Sequence, residues 1–234
     1  MTELVIKAVL SYLLGSIVGS LLVGRLRGGV DIRQLGSGNA GATNALRTQS
    51  KAFAFWVLLI DLGKGWIATG ALAAARIPGV TGAPIPGIAA ARIPGWAAAP
   101  AHWHMWAVAI CGIAVMLGHI YPVWHGFRGG KGVATLVGAV LGASPVLLVA
   151  MLAVWLLAVI LFGFVGLASI LGAVTFAVGA AAGDVPGREP LLAFAVCAAV
   201  LIAFTHRANI ARMLAGTEPR ARRLWLLGAA RSRS

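Results

Sequence analysis

Apolar runs long enough to cross a bilayer recur along this chain, and they leave few folds open. The longest stretch, Val133 to Phe162, is about 30 apolar residues interrupted only by Ser144-Pro145. A proline can end one helix and begin the next, so two short spans forming a hairpin are expected there. One long kinked helix is the alternative, and it would reverse the side of everything that follows. Of the 234 residues, 60% are hydrophobic and 11% are charged, too little charge to cover a soluble domain of this size.

The remaining spans are read at about Glu3–Gly24, Ala52–Ala75, Met105–Val123, Phe164–Gly183 and Leu191–Thr205. With the two in the long stretch, this makes seven transmembrane helices in an all-α integral membrane protein. The net charge is +13. Its Lys and Arg residues lie between apolar runs and at the C-terminus, which points to topology and anionic lipid, not to nucleic acid. Arg25, Arg27, Arg33, Arg47 and Lys51 follow the first span against one acid, Asp31. The positive-inside rule makes that connection cytoplasmic, with the N-terminus outside and the C-terminus inside. Residues 1–218 are expected to form one membrane domain and 219–234 a basic tail. Ala75-Arg76-Ile77-Pro78-Gly79 recurs as Ala91-Arg92-Ile93-Pro94-Gly95, so 76–103 reads as an expanded external loop. His102 and His104 end that loop without further ligands nearby in sequence, so no metal site is expected. Cys111 and Cys197 lie inside apolar runs and read as small buried hydrophobes.

Three polar clusters are hard to explain as packing, and the seven-span count brings all three to the cytoplasmic side. The first is Gly36-Ser37-Gly38-Asn39-Ala40-Gly41-Ala42-Thr43-Asn44-Ala45-Leu46-Arg47. It matches G-x-G-x-x-G, but a membrane span precedes it where a dinucleotide site needs a strand. What remains is a glycine-rich loop with Ser37, Asn39, Thr43, Asn44 and Arg47 as donors, or simply a solvated loop. The second cluster runs from Gly118 to Thr135 and includes His119, His125, Arg128, Gly129, Gly130, Lys131 and Gly132. It lacks the Gly-Lys-Ser/Thr of a nucleotide-binding loop. Its close glycines beside Lys131 suit an anion, with the start of a helix near Gly132 aiming free N–H groups at it. A purely topological role for Arg128 and Lys131 is the bland alternative. The third cluster is His206 to Glu218; as a helix it would put His206, Asn209 and Met213 on one face, with Gly216 at the C-cap. A basic membrane-exit helix is its simpler reading. Inside the second span, Asp61 and Lys64 are three apart and can face each other, either as a structural pair or as ligands.

Taken together and in this order, the three clusters resemble the motifs of PlsY, the bacterial acyl-phosphate:glycerol-3-phosphate acyltransferase family. The resemblance covers the chain from the first span to Glu218, and the family's seven-span fold with an external N-terminus agrees with the topology above. It implies acyl transfer from an acyl phosphate to the sn-1 hydroxyl of glycerol 3-phosphate, giving 1-acyl-glycerol 3-phosphate and phosphate, without a cofactor. That is the first acylation of phospholipid synthesis, at the inner membrane of a bacterium with the site facing the cytoplasm. By the same resemblance Ser37, Arg47, Lys131, His206 and Asn209 carry activity. Gly36, Gly38, Asn39, Thr43, Asn44, His119, Gly129, Gly130, Gly132 and Ser169 line the substrates. Glu218 looks structural by that resemblance, Asp61 and Lys64 are taken as structural from their spacing, and a monomer is favoured. No histidine has Asp at the offset of an H-x₄-D acyltransferase motif, so direct attack on an activated donor is expected. The competing class is a transporter of a phosphorylated anion, but the polar residues gather at one side and do not line a path.

Overall fold

The structure, a computed structural model, describes residues 1–77, 101–183 and 187–221. The expanded loop, the turn around Asp184 and the basic tail fall largely outside these residues. All regular secondary structure among the described residues is helical. The first apolar segment is two helices, α1 (Thr2–Gly15) and α2 (Gly19–Leu26), meeting at 46°. A short α3 (Ala42–Thr48) precedes α4 (Lys51–Trp66), which runs on as a π-helical turn (Ile67–Leu72). Then come α5 (Ala101–Ile120), α6 (Val133–Ala143), α7 (Pro145–Phe162), α8 (Val165–Ala182), α9 (Arg188–Thr205) and α10 (Arg207–Leu214). Five of the described segments are long and apolar enough to cross a bilayer, and the bent α1–α2 pair makes six.

The remaining candidate, α6, is an 11-residue helix of about 16 Å, short for a bilayer core of about 30 Å. Its neighbours explain the length. Gly65 packs on Thr135 and Ala139, Gly138 on Leu62, and Gly142 on Thr69 and Gly70. Thus α6 runs parallel to α4 but begins about halfway along it, its second turn level with Leu62 and Gly65. The residues just before α6 are therefore recessed relative to the foot of α4. At Ser144 the backbone is extended (φ −159°, ψ 90°), and Pro145 opens α7 where its missing N–H costs nothing. The Val133–Phe162 stretch is thus two separate helices and not one kinked rod.

Lipid removes most of the hydrophobic drive between helices, so close backbone packing at small residues matters more. At the α1–α5 crossing, a Cβ on Gly118 would run into the carbonyl of Tyr12. On the other side of the bundle, α8, α9, α5 and α6 share a core in which Phe176 and Phe194 meet edge to face, centroids 5.4 Å apart. Helix α7 leans on α8 and presents Val146, Val149, Leu156 and Leu157 outward, as a lipid-facing helix does. Cys111 is buried as expected, but Cys197 lies on the exposed face of α9. Helical phase, which the hydropathy of an all-apolar run does not reveal, decides between them.

The break between α1 and α2 frees backbone groups inside the bundle, where each needs a partner. Lys64 Nζ donates to the carbonyls of Gly15 and Ile17, both at 2.8 Å. Asp61 Oδ1 accepts from the Gly19 N–H at 3.0 Å and lies 3.0 Å from Lys64 Nζ. The intramembrane ion pair is therefore the cap of a broken helix. His119 completes it, with Nδ1 2.8 Å from Lys64 Nζ. The same Nδ1 lies 3.4 Å from Asp61 Oδ1, so the ring touches both members of the pair.

Candidate active site

The first glycine loop is shaped by one side chain. Asn44, buried at the start of α3, donates through Nδ2 to the carbonyls of Ile32, Leu35 and Asn39, each at 3.0 Å. Its Oδ1 accepts from the Ser37 N–H at 3.0 Å. Gly36 (φ +57°) also packs so closely on Asn44 and Thr48 that a Cβ would collide with both. From α2, Ser20 Oγ donates to the Ala40 carbonyl at 2.9 Å. The sequence reading puts Asn44 against substrate; the structure engages its amide in the loop itself. Ser37, Gly38, Thr43 and Arg47 are left exposed, with Asn39 half-buried, on the loop's outer rim.

The second loop also departs from the expected anion cradle. Gly129 N–H donates to the Ile120 carbonyl and Gly130 N–H to that of His119, both at 3.1 Å, so these amides are already committed. What the glycines contribute is absence of bulk: a Cβ on Gly130 would strike His119 Nε2, and one on Gly129 the His119 carbonyl. His119 itself is 2% exposed and belongs to the Asp61–Lys64 node behind the loop. Gly132, at φ +84°, turns the chain into α6, whose first-turn amides have no intrahelical partners. Helix N-termini favour anions, so this part of the expectation keeps its geometric basis.

Lys131 is where the clusters join. Its Nζ donates to Asn209 Oδ1. Asn209 Nδ2 in turn donates to Glu218 Oε1 at 2.6 Å, and Arg212 Nε donates to Glu218 Oε2 at 2.7 Å. Burial lowers the pKa of the Lys131 ammonium, and the cations Arg212 and Arg47 lower it further, against an opposing effect of Glu218. The first loop meets the second at Gly130, where an added Cβ would press on the Ala40 carbonyl. On the backbone side, Thr205 Oγ1 donates to the Lys131 carbonyl at 3.1 Å.

His206 does not lie within a helix, as the sequence suggests, but at the joint between α9 and α10 (φ −97°, ψ 8°). It is buried, and its Nδ1 is 2.8 Å from the Ile202 carbonyl. A carbonyl only accepts, so Nδ1 carries the proton and Nε2 is left as a bare acceptor. Burial, and then the Lys131 charge, push the His206 pKa down to about 4. The ring is neutral near pH 7. At the other end of α10, Gly216 (φ +72°) reverses the chain so that the Thr217 and Glu218 amides donate to the Arg212 carbonyl, which delivers Glu218 to Asn209. Gly166 on α8 packs against Asn209, and Ser169 lies one turn further, its Oγ donating to the Val165 carbonyl at 2.9 Å.

The three clusters therefore meet, Ala40 of the first lying against Gly130 of the second, and Lys131 bonding to Asn209 of the third with His206 at the same joint. Thr205 and Arg212, which the sequence reading passes over, hold this group from behind. An acid six residues after Arg212 was the available signal for the second. Among the described residues, no cluster of His, Cys, Asp and Glu could hold a metal ion. The arrangement offers cations, one neutral imidazole acceptor and a free helix start to an anionic substrate.

A family profile described as "Glycerol-3-phosphate acyltransferase" matches residues 5–216. The chain belongs to this family. Proteins named glycerol-3-phosphate acyltransferase from Bordetella pertussis and Caulobacter vibrioides are 40% and 42% identical to it, over 91% and 89% of this chain and 89% and 84% of theirs. The crystal structure of PlsY, an integral membrane glycerol 3-phosphate acyltransferase, in its glycerol 3-phosphate form superposes with a TM-score of 0.74 at 32% identity. It covers 93% of this chain and 94% of that one, and the form with lysophosphatidic acid gives 0.71. The chain is thus an acyltransferase of the PlsY family and an integral membrane protein, and the transporter reading falls away.

Proposed function

We propose that this protein transfers a fatty acyl group from acyl phosphate to the sn-1 hydroxyl of glycerol 3-phosphate. The products are 1-acyl-glycerol 3-phosphate and inorganic phosphate. The observation that supports this reading is the bonding of Lys131, which leads into the start of α6, to Asn209 and Thr205 on either side of His206 and its bare Nε2. Two phosphates need cationic and N–H donors. A hydroxyl nucleophile needs an acceptor that fixes its direction.

The hydroxyl donates to His206 Nε2 and is held facing the acyl carbonyl. Its oxygen bonds to the acyl carbon and the bond from that carbon to the phosphate oxygen breaks; as the O–H becomes acidic, its proton leaves the hydrogen bond to Nε2 and passes to the departing phosphate. A ring with a pKa of about 4 is a weak base, so His206 orients and the phosphate receives. Lys131 and Arg47 stabilise the charge on the phosphates, Ser37 and the loop rim complete the site, and Asn209 with Glu218 aims Lys131. Among the described residues neither Ser37 nor Ser169 is hydrogen-bonded to a histidine, which supports direct attack without an acyl-enzyme.

In this reading the α1–α2 pair, α4 with its π turn, α5, α6, α7, α8 and α9 are the seven spans. The N-terminus is outside, and the site faces the cytoplasm from a bacterial inner membrane. The arginines after α2 and in the tail support that orientation. The working unit in this reading is a monomer.

The deciding measurement is phosphate release from palmitoyl phosphate by purified protein, with and without glycerol 3-phosphate, beside Lys131→Ala. Release that depends on glycerol 3-phosphate and fails in the variant is expected. Activity with an acyl thioester donor and none with acyl phosphate would overturn the donor assignment.

A further inference from the structure

Arg33 is one of several arginines that the charge pattern assigns to topology, yet its guanidinium is more fully engaged than that role requires. Nε donates to Asp31 Oδ1 and Oδ2 at 3.0 and 3.1 Å, and Nη2 to Asp31 Oδ2 at 2.7 Å. The Arg33 amide also donates to Asp31 Oδ1, at 3.0 Å, which makes Asp31 the cap of the short 3-10 turn Ile32–Gln34. This pairing holds the Asp31 carboxyl below its ordinary pKa. Its remaining edge crosses to the second loop: Nη1 donates to the carbonyls of His125 at 3.2 Å and Arg128 at 2.8 Å.

Those two carbonyls flank a turn with two successive residues at positive φ. Gly126 is at φ +63° and Phe127 at φ +58°, and Phe127 is the only non-glycine with positive φ among the described residues. A bulky residue there holds its shape only if its surroundings impose it. The Phe127 side chain is exposed and contributes no packing to this. Lys131 follows three residues after Arg128. On the other side, the turn that carries Arg33 supplies the Ile32 carbonyl that anchors Asn44. One short segment, 31–33, thus braces both glycine loops.

We propose that Arg33, oriented by Asp31, is a positioning residue that locks the Gly126–Phe127 turn and so places Lys131 against substrate phosphate. Arginine is required in particular, because a planar fork can chelate a carboxylate along one edge and reach two carbonyls with the other. A lysine ammonium is a single point and cannot do both. The inference rests on the proposed site only in taking Lys131 as a phosphate ligand.

The test is steady-state kinetics of Arg33→Ala and Arg33→Lys in glycerol 3-phosphate, with thermal stability measured in the same detergent and Lys131→Ala alongside. Displacement of a substrate-binding cation by about 1 Å can cost up to about a hundredfold. We expect KM for glycerol 3-phosphate to rise about tenfold or more in both variants, with kcat also reduced. Beside Arg33 lies a hollow of about 240 Å³ lined by Asp31, Trp124 and His125, large enough to admit a free guanidinium ion. Guanidinium at concentrations too low to denature should therefore restore part of the Arg33→Ala loss, and have no such effect on the wild type. If Arg33→Ala does not fold, Arg33→Lys keeps a cation in place and carries the KM test alone. An unchanged KM in a folded variant, whatever happens to kcat, would overturn the proposal, since general destabilisation lowers the active fraction without moving KM. If Lys131→Ala leaves KM untouched, the site assignment fails instead.

Discussion

Two polar networks in this molecule use nearly the same parts and do different things. Asp61, Lys64 and His119 form one; Lys131, Asn209, Glu218 and Arg212 form the other. Each combines a lysine, an acid and a nitrogen-bearing side chain. The first is sealed, with Lys64, His119 and Asp61 side chains 3%, 3% and 1% exposed. Its hydrogen bonds run to backbone freed by a helix break. The second is open: Arg212 is 42% exposed, Lys131 is half-buried, and Arg47 and Ser37 stand at the rim. A closed network has no unfilled bonding capacity for a ligand, so its value is structural. An open one, whose cations keep part of their surface exposed, can bind.

The sharpest way to break the comparison is to remove one lysine from each. Lys64→Ala would strand a buried carboxylate and two backbone carbonyls, and should cost about 3–5 kcal/mol of stability or abolish folding. Thermal unfolding in detergent reads this. Lys131→Ala should leave unfolding within about 1 kcal/mol of wild type and lower turnover about 10²–10³-fold. If the two variants behaved alike in both measurements, the distinction between sealed and open would not hold.

His206 lies between these cases, buried yet facing the site. The unfolded chain takes up its proton near pH 6.5, while the folded protein waits until about 4. Between those values the unfolded state binds more protons, so stability falls as pH falls. The loss should reach at most about 3 kcal/mol by pH 4. His206→Gln should flatten that part of the pH–stability curve while lowering turnover about 10²-fold at neutral pH. An unaltered acid limb would mean that another group sets it.

Glu218→Gln is a finer probe, since it keeps the shape and removes the charge. Glu218 raises the Lys131 pKa, so its neutralisation should start the alkaline rise of KM for glycerol 3-phosphate at lower pH. Stability should change by no more than about 1 kcal/mol, because the Arg212 partner is exposed. The smallest effect belongs to Ser169→Ala, whose hydroxyl bonds only to its own helix. Turnover should stay within about threefold of wild type; a complete loss would restore an acyl-enzyme at this serine.

Much of this was legible in the residues themselves. Apolar length marks the spans, because each helix must satisfy its own backbone in lipid. Pro145 marks the division between α6 and α7, and Asp61 with Lys64 announces a pair by spacing alone. The polar motifs, their order and the family they resemble are also properties of the linear chain. Less accessible were the partners across the fold. Asn44 reads as a donor to substrate and proves to be the frame of its own loop; Gly129 and Gly130 read as anion-binding amides and prove to be clearance for His119. Arg33 reads as a topological charge and bridges two loops whose linked residues lie more than ninety positions apart.

By itself the sequence determined that this chain is a helical membrane protein with three polar, glycine-rich clusters, because hydropathy and turn chemistry are local and additive. Which donors remain free was decided only by the tertiary structure. A polar side chain's role depends on whether its hydrogen-bonding capacity is already filled, and the groups that fill it come from elsewhere in the chain. The same holds for the height at which α6 begins: helix length is local, but the glycine contacts with α4 that recess Lys131 into the bundle are not.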